Sequence, residues 1–316
     1  MAIVNTAGGP VESAALGRTL MHEHVAVRTP GIRENWPELW DQQHAIDSCV
    51  ERLNAAAAGG IGTIVDATPA DMGRDPALLA AVAARTSVHI IVSSGIYWEV
   101  PRFWRLRTPD ELARAFVHDV TAGIGGSAIR AGVLKAATGP DGVTTANEVC
   151  LRAVARAQRA SGVPIITHAT PYQQALEQAR IFEDEGVDPT RVMLGHVGDT
   201  TDTDFLGALI ARGYMLGMDR FGMHSELLTL DDRIATVARL CAAGHARSLM
   251  LSHDTASSQD WFAGPEAPHP NMPNGDLNLI PEHVLPALRA QGVTEAQIET
   301  MLVENPRRLF ERQGAY

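Results

Sequence analysis

Six residues carry most of the chemistry this chain can offer: His22, His24, Lys135, His168, His196 and Asp254. In Thr19-Leu-Met-His-Glu-His-Val25 the apolar lead-in reads as a short buried strand. Positions i and i+2 of a strand share a face, so His22 and His24 project together while Glu23 turns away. Two neutral imidazoles side by side suit a zinc-class cation. An isolated His-x-His is as often a pair of packed histidines, so the rest of the chain must decide. It adds two more histidines and an aspartate, each at the end of an apolar run. Together these exceed the three protein ligands that a single catalytic zinc usually takes, which points to two metals sharing a bridging group.

Lys135 is the odd member. An ammonium cannot ligate a metal, and beside two cations it would be strongly disfavoured. It could form a buried ion pair, or a Schiff base through an amine made nucleophilic by desolvation. Carbon dioxide could also carboxylate the amine, giving an anionic carbamate able to bridge two metals about 3.5–4 Å apart.

Alternating short apolar runs and longer amphipathic ones imply βαβ units around a parallel sheet. After the first strand, runs at 63–66, 89–93, 131–134, 164–167, 192–195, 214–218 and 249–252 read as seven more. Helices are expected near 47–58, from about 76, and near 108–121, 144–160 and 172–185. Two more, near 281–290 and 294–310, end the chain. The fold expected is α/β, a single (β/α)8 barrel domain over 1–316. The six residues then converge at its C-terminal face, where barrel active sites lie, and spacings of 33 and 28 residues from Lys135 to His168 to His196 suit consecutive βα units. The stretch Thr255–Leu279, rich in Pro, Asn and Gly, reads as an extended eighth loop acting as lid or binding loop.

With 45% apolar residues, 316 residues can bury a sizeable core. A net charge of −11 argues against nucleic acid or anionic membrane as partner. No apolar run is long enough to span a bilayer, and no basic segment followed by an apolar core opens the chain, so a cytosolic protein without a secretory signal is expected. Cys49, Cys150 and Cys241 have no metal-binding spacing and read as packing residues.

Taken together, His22-Glu-His24, Ala131-Gly-Val-Leu-Lys135, Ile165-Ile-Thr-His168, Leu194-Gly-His196-Val-Gly-Asp199, Gly217-Met-Asp-Arg-Phe221 and Leu251-Ser-His-Asp254 resemble the phosphotriesterase family of amidohydrolases, most closely its phosphotriesterase-like lactonase branch. The resemblance runs from Asn5-Thr-Ala-Gly-Gly-Pro10 to Asn305-Pro-Arg-Arg-Leu-Phe310. It implies a homodimer with two divalent metals, zinc or else iron, cobalt or manganese. His22, His24 and Asp254 would hold the buried ion, and His168 and His196 the more exposed one. N6-carboxylated Lys135 and a hydroxide would bridge them, the hydroxide acting as nucleophile and Asp254 taking its proton.

The resemblance further implies a small-molecule lactone or ester as substrate. Tyr97 matches the tyrosine that lactonase relatives place beside the metals, and Arg220 stands where efficient phosphotriesterases carry histidine. Trp98, Phe103, Trp261 and Phe262 could line an apolar channel for an acyl chain. The loops after Tyr97 and over Thr255–Leu279 depart from the branch, and Glu99 at the mouth would disfavour anionic substrates. His253 is expected behind the ligands, and the other seven histidines at the surface or in packing. The rivals are a primary phosphotriesterase or carboxylesterase, a mononuclear amidohydrolase, a Schiff-base aldolase using Lys135, and a barrel without catalysis.

Overall fold

The computed structural model describes residues 2–223, 228–261, 276–311 and 314–316. Eight parallel strands build the barrel: β1 (Arg18–Val27), β2 (Ile61–Asp66), β3 (His89–Gly95), β4 (Val133–Thr138), β5 (Ile165–Ala169), β6 (Val192–Leu194), β7 (Met215–Met218) and β8 (Leu249–Leu251). A ninth, β9 (Ala256–Gln259), lies parallel to β1 on the far side from β2. It occupies the start of the stretch expected to be pure loop. The chain turns at Asp254 (φ 59°) and pairs again with β1, so Asp254 N–H donates to His22 O and His24 N–H to Thr255 O. Those bonds tie the segment that follows β8 to β1.

Helices follow the strands: α1 (Gln42–Ala58), α2 (Pro76–Ala83), α3 (Pro109–Thr121), α4 (Thr145–Ser161), α5 (Gln174–Asp184), α6 (Thr203–Ala211), α7 (Leu230–Ala242) and α8 (Leu285–Ala290). Their starts are chemically marked. Thr108, Thr144 and Thr229 each cap through reciprocal hydrogen bonds with the residue three positions on, satisfying otherwise orphaned backbone donors. Helix α1 starts five residues before the expected 47, because Asp41 accepts from His44 N–H and so caps an earlier turn.

The apolar side chains form two layers. One lies between strands and helices, through residues such as Leu53, Ile64, Val92, Leu134, Val154 and Leu251. The other fills the barrel with one residue per strand: Met21, Val65, Ile91, Val133, Ile166, Met193, Met215 and Met250, with Leu309 and Phe310 in the same cluster. This apolar plug is the floor on which the polar site stands.

Candidate metal centre and active site

Two residues above that floor, strand alternation puts Lys135 over Val133 and His168 over Ile166. Lys135 is therefore inside β4, not at its end as expected. The ladder continues through Ala136↔Thr167, Ala137↔His168 and Thr138↔Ala169. On β1 the alternation is broken. Pairing with β2 jumps from Leu20↔Ile64 to Glu23↔Asp66, an irregularity that places one extra residue on β1. Met21 and His22 thus both face inward, one into the plug and the next into the site; bulges of this kind re-aim side chains beside active sites.

Four imidazoles, one amine and one carboxylate meet here. Lys135 Nζ lies 2.6 Å from His22 Nε2. Asp254 Oδ1 is 3.3 Å from His24 Nε2 and 3.5 Å from His22 Nε2, and its Oδ2 is 3.6 Å from His196 Nε2. His196 Nε2 approaches His168 Nδ1 to 2.8 Å. His196 and Asp254 both adopt positive φ, 61° and 59°, an uncommon backbone region that recurs at functional sites. His22, Lys135 and His196 are wholly buried.

Each ring is oriented from behind. Asp219, itself buried, accepts from His22 Nδ1 at 2.8 Å and from His196 Nδ1 at 3.1 Å, and also from His196 N–H at 2.8 Å. His24 Nδ1 pairs with Thr68 Oγ1 at 2.8 Å, and that hydroxyl donates to Asp66 Oδ1 at 2.6 Å. Glu23 accepts from His253 N–H, His253 Nδ1 and Thr255 N–H, which fixes the backbone on either side of Asp254. His253 acts there through Glu23 and touches none of the convergent atoms directly. Arg220 donates Nε–H to Asp254 Oδ2 at 3.1 Å and Nη1–H to Asp199 Oδ2 at 2.6 Å, while Arg233 holds the other oxygen of Asp199 at 2.7 Å.

Burial, reinforced by the nearby Lys135 charge, brings the His22 pKa down to about 3, and burial also holds His168 well below its ordinary value. Burial alone would raise Asp219 and Asp254, but the facing imidazoles outweigh it, with Arg220 adding to the effect at Asp254, and both stay well below the carboxylate range. The Lys135 amine is lowered to about 8 by burial, against the pull of Asp254 and Asp219.

Divalent cations suit this donor set. With their Nδ1 protons directed at Asp219, His22 and His196 turn Nε2 lone pairs inward, and a proton is a poor occupant between His196 and His168 because burial opposes it on His168. His22, His24 and Asp254 lie close enough to share one ion, and His22, His196 and Asp219 form a second close group. In that second group the rings are already hydrogen-bonded to Asp219, so its carboxylate serves the rings and the first set is the better cradle.

The aromatic residues separate. Tyr97 stands edge-on to His168 with centroids 4.9 Å apart, and Trp98 and Trp261 lie 6.0 and 5.9 Å from it. The Trp98 ring packs over Gly139, where a Cβ would clash with it. Phe103, well exposed, packs on Trp104 and under Arg107. Phe262 lies outside the described residues, as do His224 and His269. Beside Trp98 a pocket of about 640 Å³ is lined by Glu99, Arg105, Asp141 and Thr144 among others. Sequence reasoning does not reach Asp66, Thr68, Asp199 or Asp219 as site residues, although Asp66 closes the apolar run Thr63–Val65 and Asp199 and Asp219 follow the Gly-containing strand ends at 194–198 and 216–218.

Fold and site define an α/β barrel with His/Asp groups able to bind metal at the strand ends. The sequence profile of the phosphotriesterase family matches residues 2–310. A phosphotriesterase homology protein of Mycobacterium tuberculosis is 45% identical over 325 residues, covering 99% of each chain. An aryldialkylphosphatase of Saccharolobus solfataricus is 36% identical over 304 residues, covering 95% of this chain and 96% of that one. The solved phosphotriesterase of M. tuberculosis superposes with a TM-score of 0.94 at 43% identity, over 99% of this chain and 100% of that one. This chain belongs to the phosphotriesterase family. Among the described residues, no helix is long and apolar enough to cross a membrane.

Proposed function

We propose that this family member is a binuclear metal-dependent hydrolase of small esters, lactones foremost, with phosphotriester hydrolysis as a second activity. The convergence of His22, His24, His168, His196, Lys135 and Asp254 above the apolar plug carries the reading. His22, His24 and Asp254 would hold one cation, His168 and His196 the other, with Lys135 as a carbamate between them. Burial favours the uncharged Lys135 amine, the form that adds carbon dioxide and releases a proton to become the carbamate. Two bound divalent cations would acidify a shared water and polarise the substrate's acyl or phosphoryl oxygen.

The remaining work falls to the side chains. Asp254, ionised and steadied by Arg220, accepts the proton of the attacking water. Tyr97 forms a wall beside His168 against which a lactone ring can lie, and Glu99, next to Trp98, would disfavour anionic substrates. Phosphotriesters are kept as a second class because of the likeness to an aryldialkylphosphatase. A homodimer in the cytosol completes the proposal.

The deciding assay is a panel of acyl-homoserine lactones, other γ- and δ-lactones, simple carboxylic esters and paraoxon, run on protein of measured metal content. Two equivalents of metal with kcat/KM highest for lactones supports the proposal. Metal-free protein of full activity would end it, and a paraoxon preference would reverse the order of substrates.

A further inference from the structure

In the layer where β4 and β5 carry Lys135 and His168, a glycine just past the end of β6 and one within β7 take the corresponding places. Gly195 lies two residues beyond Met193, and Gly217 two beyond Met215. Both glycines have ordinary backbone angles, so a left-handed conformation does not explain them. Space does. A Cβ on Gly217 would come within 2.5 Å of Asp219 Oδ2, and one on Gly195 within 3.1 Å of the same oxygen, besides striking the Thr167 carbonyl. The two missing side chains leave the volume that the Asp219 carboxylate fills.

That carboxylate is bonded to two rings at once. Its Oδ2 faces His22 Nδ1 and its Oδ1 faces His196 Nδ1, while the rings stack with centroids 4.6 Å apart and planes 24° from parallel. An ionised carboxylate only accepts, so both rings must carry their proton on Nδ1. Both Nε2 atoms are then left as lone pairs pointing into the cavity.

We propose that Asp219 is the single positioning residue shared by the two halves of the metal centre. Seated in the Gly195/Gly217 notch, it fixes the tautomer of one ring from each proposed ion pocket and so ties the two affinities together. This rests on the two-ion reading given above. It assigns Asp219 no contact with substrate. Losing a carboxylate behind a ligating histidine typically weakens metal binding by about 10–100-fold. Here one substitution should impose that loss on both ions.

Two measurements test it. In metal-free wild-type protein labelled with ¹⁵N-histidine, both His22 and His196 should show the Nδ1–H tautomer; Nε2–H on either ring overturns the proposal without need of a variant. Titration with Co²⁺, followed by its visible spectrum and by metal analysis, should show both equivalents weakened together by about 10–100-fold in Asp219→Asn. Asp199→Asn, which touches Arg220 and Arg233 and neither ring, should leave the tautomers unchanged. If Asp219→Asn weakens one equivalent alone, the coupling is refuted. If wild type binds a single Co²⁺, the two-ion reading fails and the coupling with it, while the tautomers still judge whether Asp219 sets both rings.

Discussion

The Arg220 guanidinium bridges Asp254 and Asp199, donating to one carboxylate through Nε and to the other through Nη1. A guanidinium keeps its proton at any working pH, so it can steady Asp254 but cannot relay a proton away from it. Its charge is among the groups holding Asp254 well below the usual carboxylate range. Removing it in Arg220→Met should raise the Asp254 pKa. Asp254 must be ionised to accept a proton, so the acid limb of kcat/KM should move to higher pH. Asp254→Asn, lacking the acceptor, should lose about 10²–10⁴-fold in kcat while its circular dichroism is unchanged. An unmoved acid limb in a folded, metal-loaded Arg220→Met would show that Arg220 only braces the strand ends.

Lys135 is the residue whose chemistry needs a molecule other than the substrate. Its fully buried amine touches His22 Nε2, and as an ammonium it would repel both proposed cations. Metal uptake by stripped protein should therefore need carbon dioxide: reconstitution in bicarbonate-free buffer should recover less activity and less metal. Protein grown or reconstituted with ¹³C-bicarbonate should show a carbamate carbon resonance that Lys135→Gln lacks. Full binuclear uptake without carbon dioxide would leave Lys135 as an ordinary amine.

Tyr97 meets His168 edge-on, and Trp98 and Trp261 flank it at the mouth. Packing of a substrate ring on an aromatic face contributes about 0.5–1.5 kcal/mol beyond burial, or roughly 2–13-fold in affinity. Tyr97→Ala should raise KM for lactones by about that factor with a smaller change in kcat, and should affect paraoxon less. Equal losses on both substrate classes would make Tyr97 a support for His168 and nothing more.

The six convergent residues were legible in the sequence because a parallel barrel brings strand ends together, and each of the six sits on or just past an apolar run. The depth of Lys135 was not, since Ala136-Ala-Thr138 carries no strand signature of its own and joins β4 only through its pairing with β5. Nor was the irregularity on β1, which depends on how Leu20 and Glu23 register against β2. In sequence Asp219 stands beside Arg220, but its hydrogen-bond partners, His22 and His196, lie 197 and 23 residues away. The inward glycines 195 and 217 were the signal that something had to fill that space. Strand β9 was hidden in a Thr255–Leu279 stretch whose composition is dominated by the Pro, Asn and Gly of its later part.

Asp71 provides a pH test away from the metal ligands. It lies in the turn Ala70–Met72 after β2, and its two oxygens accept the Tyr97 N–H at 3.1 and 2.9 Å. Burial pushes its pKa up to about 7, with Glu99 adding repulsion and the Tyr97 N–H and Arg74 working the other way. Between its unfolded value of 3.8 and about 7, the folded carboxyl keeps a proton that the unfolded one has released. Its contribution to stability is therefore full at low pH and lost as pH rises through about 7, by roughly 2–4 kcal/mol. In metal-free protein His22 slopes the opposite way: its folded pKa of about 3 lies below the unfolded 6.5, so stability falls as pH drops below 6.5. The Asp71 slope must therefore be read as a difference. Asp71→Asn keeps an acceptor for the Tyr97 N–H and never ionises, so its advantage over wild type in urea unfolding should widen from pH 5 to about pH 7 and level off above it. A gap that stays constant across that range would mean Asp71 titrates alike in the folded and unfolded chains.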